Sequence, residues 1–303
     1  MATWYAQLNS QDFHYYHQWN SAANGSGTWL DTSVTDYSQD TFCTNGKIVI
    51  ISTNITCEKL YCHVNGFFRF SGTGLVIHAD IENDSQLNSI DIQPNSDVTI
   101  YGDLIANGTE NGAIVMYQSN SALTLYGNIT VSGFYSVAIR IDSSTAIVNI
   151  YDGILSVDGD YSECIINELY NDTPTLYVNN SILTGGSGVW SSAIHYEDGR
   201  FVVNNSTLIA GDGLSCESVR SMSFPVILNE CNLVSSGTSM PIAGSMIYTP
   251  RADNYFEIWD DTTPTILALT PDADNLMKGT VCGQTVGTLA PASPFRRSKR
   301  RFI

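Results

Sequence analysis

Charge is scarce in this chain. Only 14% of its 303 residues are Asp, Glu, Lys or Arg, and 13 basic residues face 30 acidic ones, for a formal net charge of −17. The shortage of cations is sharper than the total suggests, because Arg296, Arg297, Lys299, Arg300 and Arg301 all lie in the last eight positions. The preceding residues 1–295 hold 8 basic against 30 acidic side chains, a balance of −22. Such a body repels nucleic acid and anionic membrane surfaces, which excludes both as partners.

Long apolar runs are missing as well, and none approaches the ~20 residues of a membrane span. The start Met1-Ala2-Thr3-Trp4-Tyr5 has neither a basic n-region nor an apolar h-region, so no secretory signal is expected. The seven cysteines (Cys43, Cys57, Cys62, Cys164, Cys216, Cys231 and Cys282) are odd in number and scattered, several beside apolar positions. They read as reduced core thiols made in a cytosol, not as a disulfide framework. Cys57 and Cys62 lack a second Cys/His pair, His63 alone does not complete a zinc site, and His14 with His17 is too little for one. No metal and no cofactor is therefore expected. Neither a Gly-x-Ser-x-Gly elbow nor a phosphate-binding glycine loop occurs in its strand-to-helix context.

What the chain does have is a repeat of about twenty-five residues. A short apolar strand followed by a polar corner recurs as Val98-Thr99-Ile100-Tyr101-Gly102, Leu123-Thr124-Leu125-Tyr126-Gly127 and Val148-Asn149-Ile150-Tyr151-Asp152. Taking Ile100, Leu125, Ile150, Val178, Val203 and Leu228 as anchors, the successive gaps are 25, 25, 28, 25 and 25. Earlier copies are anchored at Ile50 and Ile77. A fixed period of this size marks a solenoid, and copies that are strand-like and punctuated by Gly, Asn, Asp and Ser mark a β-solenoid. A second strand repeats in step: Ala113-Ile114-Val115, Ala138-Ile139-Arg140, Cys164-Ile165-Ile166 and Ala193-Ile194-His195. A β-sandwich is the rival architecture, but its strands would be irregularly spaced.

The expected fold is all-β: a right-handed parallel β-helix of about eight coils over residues 46–250. Residues 1–45, rich in aromatics, form an N-terminal cap or attachment segment in which Trp4, Tyr5, Trp19 and Trp29 either cover the first coil or anchor a partner. Residues 251–303 form an extended C-terminal tail containing Pro264, Pro271, Pro291 and Pro294. The frequent Asn-x-Ser/Thr triplets, at Asn54, Asn107, Asn128, Asn179, Asn204 and Asn205, read as corner asparagines.

Several segments carry a resemblance. Met1-Ala2-Thr3-Trp4-Tyr5-Ala6, Trp19-Asn20 and Gly25-Ser26-Gly27-Thr28-Trp29 resemble the start of tailed-bacteriophage virion proteins that continue into a β-helix. Asn45-Gly46-Lys47-Ile48-Val49-Ile50 and Ile55-Thr56-Cys57-Glu58-Lys59-Leu60 fit the first coil of such proteins. Asn275-Leu276-Met277-Lys278-Gly279-Thr280-Val281 and Val286-Gly287-Thr288-Leu289 look like a short element of phage fibre proteins. Together they total 36 of the 303 residues. The resemblance implies a structural protein of the virion, made in the host cytoplasm: a head fibre, a capsid decoration or a tail spike. It implies a homotrimer, contacts with other virion proteins, and host surface glycans as a further partner. The alternative it leaves open is a tail-spike glycosidase or lyase acting on host polysaccharide. The basic residues Arg296, Arg297, Lys299, Arg300 and Arg301 read either as an arm docking on an acidic partner or as a solubilising end.

Two rows have the composition for chemistry. Tyr135, Tyr161 and Trp190 each precede the second strand by three residues, so they stack if register holds. They are either a sugar-binding strip or a covered corner worth ~0.5–1.5 kcal/mol per aromatic pair. Asp142, Glu168 and Glu197 each follow the same strand by four residues. Neighbours in such a row lie ~5 Å apart, within the carboxyl separations of about 5–9.5 Å that glycosidases use. A solvated row of carboxylates is the plainer reading, so no catalytic residue is assigned.

Overall fold

The computed structural model describes residues 2–15, 18–30, 37–84, 88–107, 112–117, 119–143, 145–167, 174–196, 199–211, 213, 216–221, 226–229, 231–234, 240–244, 247–248, 256–260, 263–264, 281–282 and 285–286. Beyond 216 its side chains are described only for Ser218, Val219, Leu228 and 231–234. Among the described residues every regular element is a strand. The strands stack in parallel as a β-solenoid.

A regular turn contains three strands. Asp97–Tyr101 bends at a corner into Leu104–Asn107, and the chain then crosses to Gly112–Met116. The first two belong to a 20-stranded sheet and the third to a 10-stranded sheet. Turns of this kind begin at Asp97–Tyr101, Ala122–Tyr126, Ile147–Tyr151, Thr175–Asn179, Arg200–Asn204 and Val226–Asn229. The solenoid thus has about six full turns, not the eight expected from the repeat. The two coils before them cross between both sheets as well, but without a break at the corner. Ile55–Cys62 and Leu75–Asn83 run through the corner as single strands of 8 and 9 residues, and Leu75–Asn83 pairs with both Asp97–Tyr101 and Leu104–Asn107. Ile50 lies in the other sheet opposite Arg69, while Ile55 occupies the place beside Ile77.

Inner rows confirm the repeat. Ile100, Leu125, Ile150, Val178, Val203 and Leu228 pair in unbroken succession, and none is more than 1% exposed. The second row is equally regular, with Ile114, Ile139, Ile165 and Ile194 aligned and fully buried. β-Branched side chains suit this interior because they pack on a pleated surface with little rotamer freedom to lose.

Corners decide where a strand can break. A Cβ at Gly102 would run into the carbonyl oxygen of Ala79, and one at Gly127 into that of Gly102. Glycine lets successive corners close to contact distance. Elsewhere the corners are polar ladders. Asn205 donates to Asn180 at 3.0 Å and Asn180 to Asp152 at 3.1 Å, while Asn204 donates to Asn179 at 2.8 Å. A buried row does the same for backbone: the amides of Ser136 and Ser162 donate to the hydroxyls of Ser162 and Ser191, and the amide of Ser191 to the Cys216 sulfur. Buried donors are thereby satisfied where no strand is present to receive them.

The N-terminal end is covered. Thr3–Ala6 pairs in parallel with Tyr37–Cys43, and Trp19–Asn20 closes over it antiparallel. Beneath lies an aromatic knot: Phe13 and Phe42 centroids are 4.5 Å apart, and Trp19 is 4.8 Å from Phe42. Towards the other end, parallel pairing reaches Phe256–Asp260 beside Cys231–Val234, and Thr263–Pro264 then folds back antiparallel.

Six cysteines (Cys43, Cys57, Cys62, Cys164, Cys216 and Cys231) are free and buried, as expected of core thiols. Burial, and then the carboxylate of Asp40, pushes the Cys57 thiol up to about 12; burial takes Cys43 to about 11 and Cys164 to about 12. Ellman's reagent at pH 8 is therefore expected to leave these six unreacted until the chain is unfolded. Fast labelling of two or more thiols in the folded protein would contradict this packing. Gly127→Ala is expected to destabilise by roughly 1–3 kcal/mol, because the stacked corners must separate. Denaturant unfolding measures it; an unchanged midpoint would show that the corner has room.

Candidate functional site

The aromatic row predicted at 135, 161 and 190 exists, and its backbone is unusual. Tyr135, Tyr161 and Trp190 adopt φ of 55°, 55° and 56°, the left-handed region. Other left-handed positions at the corners hold mostly Asn, as at Asn95, Asn120, Asn180 and Asn205. Asparagine tolerates this conformation through its short polar side chain, whereas a bulky ring adds strain of ~1–2 kcal/mol. The strain is held by a repeated contact: the Tyr135 amide donates to the Asp160 carbonyl, and the Tyr161 amide to the Val189 carbonyl one turn on. The serine after each ring then locks the turn through the buried row described above.

All three rings face solvent, at 45%, 36% and 48% exposure. Their faces are not equally free. Tyr135 and Tyr161 stack at 4.8 Å with 28° between planes, and Phe134 sits edge-on to both. Each thus spends one face on the other. Trp190 stands outside the stack. Beside it lies Asp160, whose Oδ1 accepts from the Val189 amide at 3.1 Å, and Ser187 donates to Asp158 Oδ1. An exposed indole beside carboxylates has the chemistry of a neutral sugar contact: an apolar face for C–H groups and acceptors for hydroxyls.

Of the acidic row, Asp142 is described; Glu168 and Glu197 lie outside the described residues. Asp142 is ion-paired to Arg140, with Nε to Oδ2 at 2.7 Å. Its carboxylate is thereby occupied by the guanidinium. His78, Asp80 and Glu82 alternate along Leu75–Asn83, and they too are dispersed among separate partners. Asp80 accepts from the Asp103 amide and Glu82 pairs with Lys59 at 2.6 Å. Asp84 receives Tyr61 and His63. Burial would raise the Asp84 carboxyl, but the hydrogen bonds from Tyr61 and His63 outweigh it and hold it below its ordinary value. Among the described residues no group of three or more His, Cys, Asp or Glu side chains could hold a metal ion.

The N-terminal aromatics divide. Trp19 is 1% exposed and donates its indole N–H to the Phe13 carbonyl at 2.7 Å, so it belongs to the cap interior. Trp4 packs partly on that core and donates to Asp40, and Tyr5 is half-buried. Trp29 faces outward at 37% exposure. Arg296, Arg297, Lys299, Arg300 and Arg301 lie outside the described residues.

Two features went unread in the sequence. The fourth residue of a coil motif, Tyr101, Tyr126 or Tyr151, forms with His78 a second ring stack on the sheet face, although the repeat itself displays the register. Glu163 and His195 form a nearly buried pair at 2.8 Å, and Ser192 donates to the same Glu163 oxygen. The signal for that pair is weak, since 32 residues separate the partners.

Strain and exposure together supply a test. Trp190→Gly is expected to leave stability unchanged or raise it by up to ~1 kcal/mol, since glycine relieves the left-handed strain and few contacts are lost. Tyr161→Gly is expected to fare worse by the ~0.5–1.5 kcal/mol of its stack. Chemical denaturation of both variants decides; a large loss in Trp190→Gly would assign the indole a structural role. Comparison with family models, with curated proteins and with solved structures returns no match to this chain.

Proposed function

We propose that this chain is a stiff structural element displayed on the surface of a tailed-bacteriophage particle. It is made in the host cytoplasm and assembles as a homotrimer. The observation that supports this most is the continuity of parallel pairing from Thr3–Ala6 to Phe256–Asp260. Every inner turn is hydrogen-bonded on both sides, and bending such a column requires many bonds to stretch together. An antiparallel strand over the N-terminal end leaves the sides as the display surface and the ends for attachment. Trp190 and its neighbours Asp158 and Asp160 are the surface we assign to host glycans. The polysaccharide-cleaving alternative draws no support from Asp142, whose carboxylate is engaged by Arg140.

Electron microscopy of intact particles with labelled antibody is the direct test. Label on the capsid or fibres is expected. Particles purified free of the protein would refute the reading, and label confined to the baseplate would favour a tail spike. Sedimentation at micromolar concentration should give three times the mass of the 33.1 kDa chain. A single-chain mass would remove the trimer.

A further inference from the structure

His78, Tyr101, Tyr126 and Tyr151 stand one above another on the outer face of the 20-stranded sheet. Successive centroids are 4.7, 4.9 and 5.2 Å apart, with planes 8°, 3° and 15° from parallel. The stack is a straight wall about 14–15 Å long, three steps of the interstrand repeat. Its ring faces are occupied by one another, so the surroundings meet ring edges and phenol hydroxyls. That geometry is wrong for a sugar, which needs an open face.

Two residues back along each strand, on the same face, lie Thr99, Thr124 and Asn149, all short and half-buried. Two further back lie Asp97, Ala122, Ile147 and Thr175, a low row opposite the rings in which Ile147 is 45% exposed. The rows are ~6.6 Å apart, so a trough floored by threonines runs along the solenoid axis, perpendicular to the strands. Tyr177, under the Arg200 guanidinium at 5.9 Å, closes its far end. Asp97, exposed, stands in the same row as Ile147, while Asp103 lies past the ring row with its Oδ1 accepting from Asn128.

We propose that this trough binds an elongated, flat, aromatic cation lying parallel to the axis. Length is set by the wall, because a rod-shaped molecule touches every rung at once and a compact one touches a single rung. Flatness is set by ring edges on one side and the low row of Ala122, Ile147 and Thr175 on the other, which favour an aromatic face between them. Charge is set by Asp97 in the opposite row and by a chain whose formal net charge is −17. The proposal is independent of where the protein sits in a particle.

Thioflavin T, a rod-shaped monocation, is the probe. With the full chain shown to be monodisperse by sedimentation, its emission should rise on mixing and saturate. Tyr126→Ala removes the central rung and should weaken binding about tenfold, equivalent to ~1.4 kcal/mol. Thr124→Lys leaves the rings in place but fills and charges the floor, and should weaken it at least as much. Tyr161→Ala, on the corner, should leave it unchanged. Affinity should fall as salt is raised, and the anionic dye anilinonaphthalene sulfonate should bind more weakly. Equal binding by wild type, Tyr126→Ala and Thr124→Lys would overturn the proposal, as would a signal that follows only pelleted aggregate or a loss confined to Tyr161→Ala.

Discussion

The structure depends on one constraint: successive turns are held in register by parallel strand pairing at ~4.8 Å. Each side chain therefore has a near-copy directly above and below. Whatever occupies a position becomes a row, and the row must be self-compatible. Aliphatic side chains inside satisfy this by packing, and asparagines at corners by donating amide to carbonyl along the row. Serines under the aromatic corner satisfy it by accepting the amide of the preceding turn. Charges do not satisfy it, since like charges would stack. This is a physical reason for so few charged residues, and for ion pairs that run between different residue types, such as Lys59 with Glu82 and Arg69 with Asp91.

The same constraint limits what the surface can bind. Rings aligned at the stacking distance use their faces on each other, as Tyr101 and Tyr126 do at 3° from parallel. A row of aromatics is then a wall, not a platform. Binding by ring face requires a ring that leaves the row, and Trp190 is in that position. The left-handed φ of Trp190 is unfavourable for so large a residue, and its exposure gives little packing in return. Strain of that kind, kept at an exposed position, is what a contact surface would explain.

Much of the fold was legible in the sequence. The anchors from Ile100 to Leu228 recur at nearly constant spacing, and a constant spacing in a parallel solenoid is the register itself. The aromatic corner was legible for the same reason. What was not legible is where the period slips. Ile50 matches the apolar pattern of its supposed equivalents, yet it sits in the other sheet. Local pattern cannot distinguish one buried strand of a coil from another when both are apolar, and the irregular pairing between Thr56 and Lys59 removes the spacing that would have decided it.

The sequence by itself determined the architecture, the identity of the inner rows and the reduced state of the thiols, because each follows from local composition repeated at a period. Only the tertiary structure decided how the aromatics divide. Trp19 went inward with Phe13 and Phe42, Tyr135 closed on Tyr161, and Trp190 was left with its indole exposed. It also decided that Asp142 is neutralised by Arg140 two residues away. Spacing specifies which residues are neighbours along the axis, but ring orientation, φ and ion pairing depend on the space left by every other row at that height.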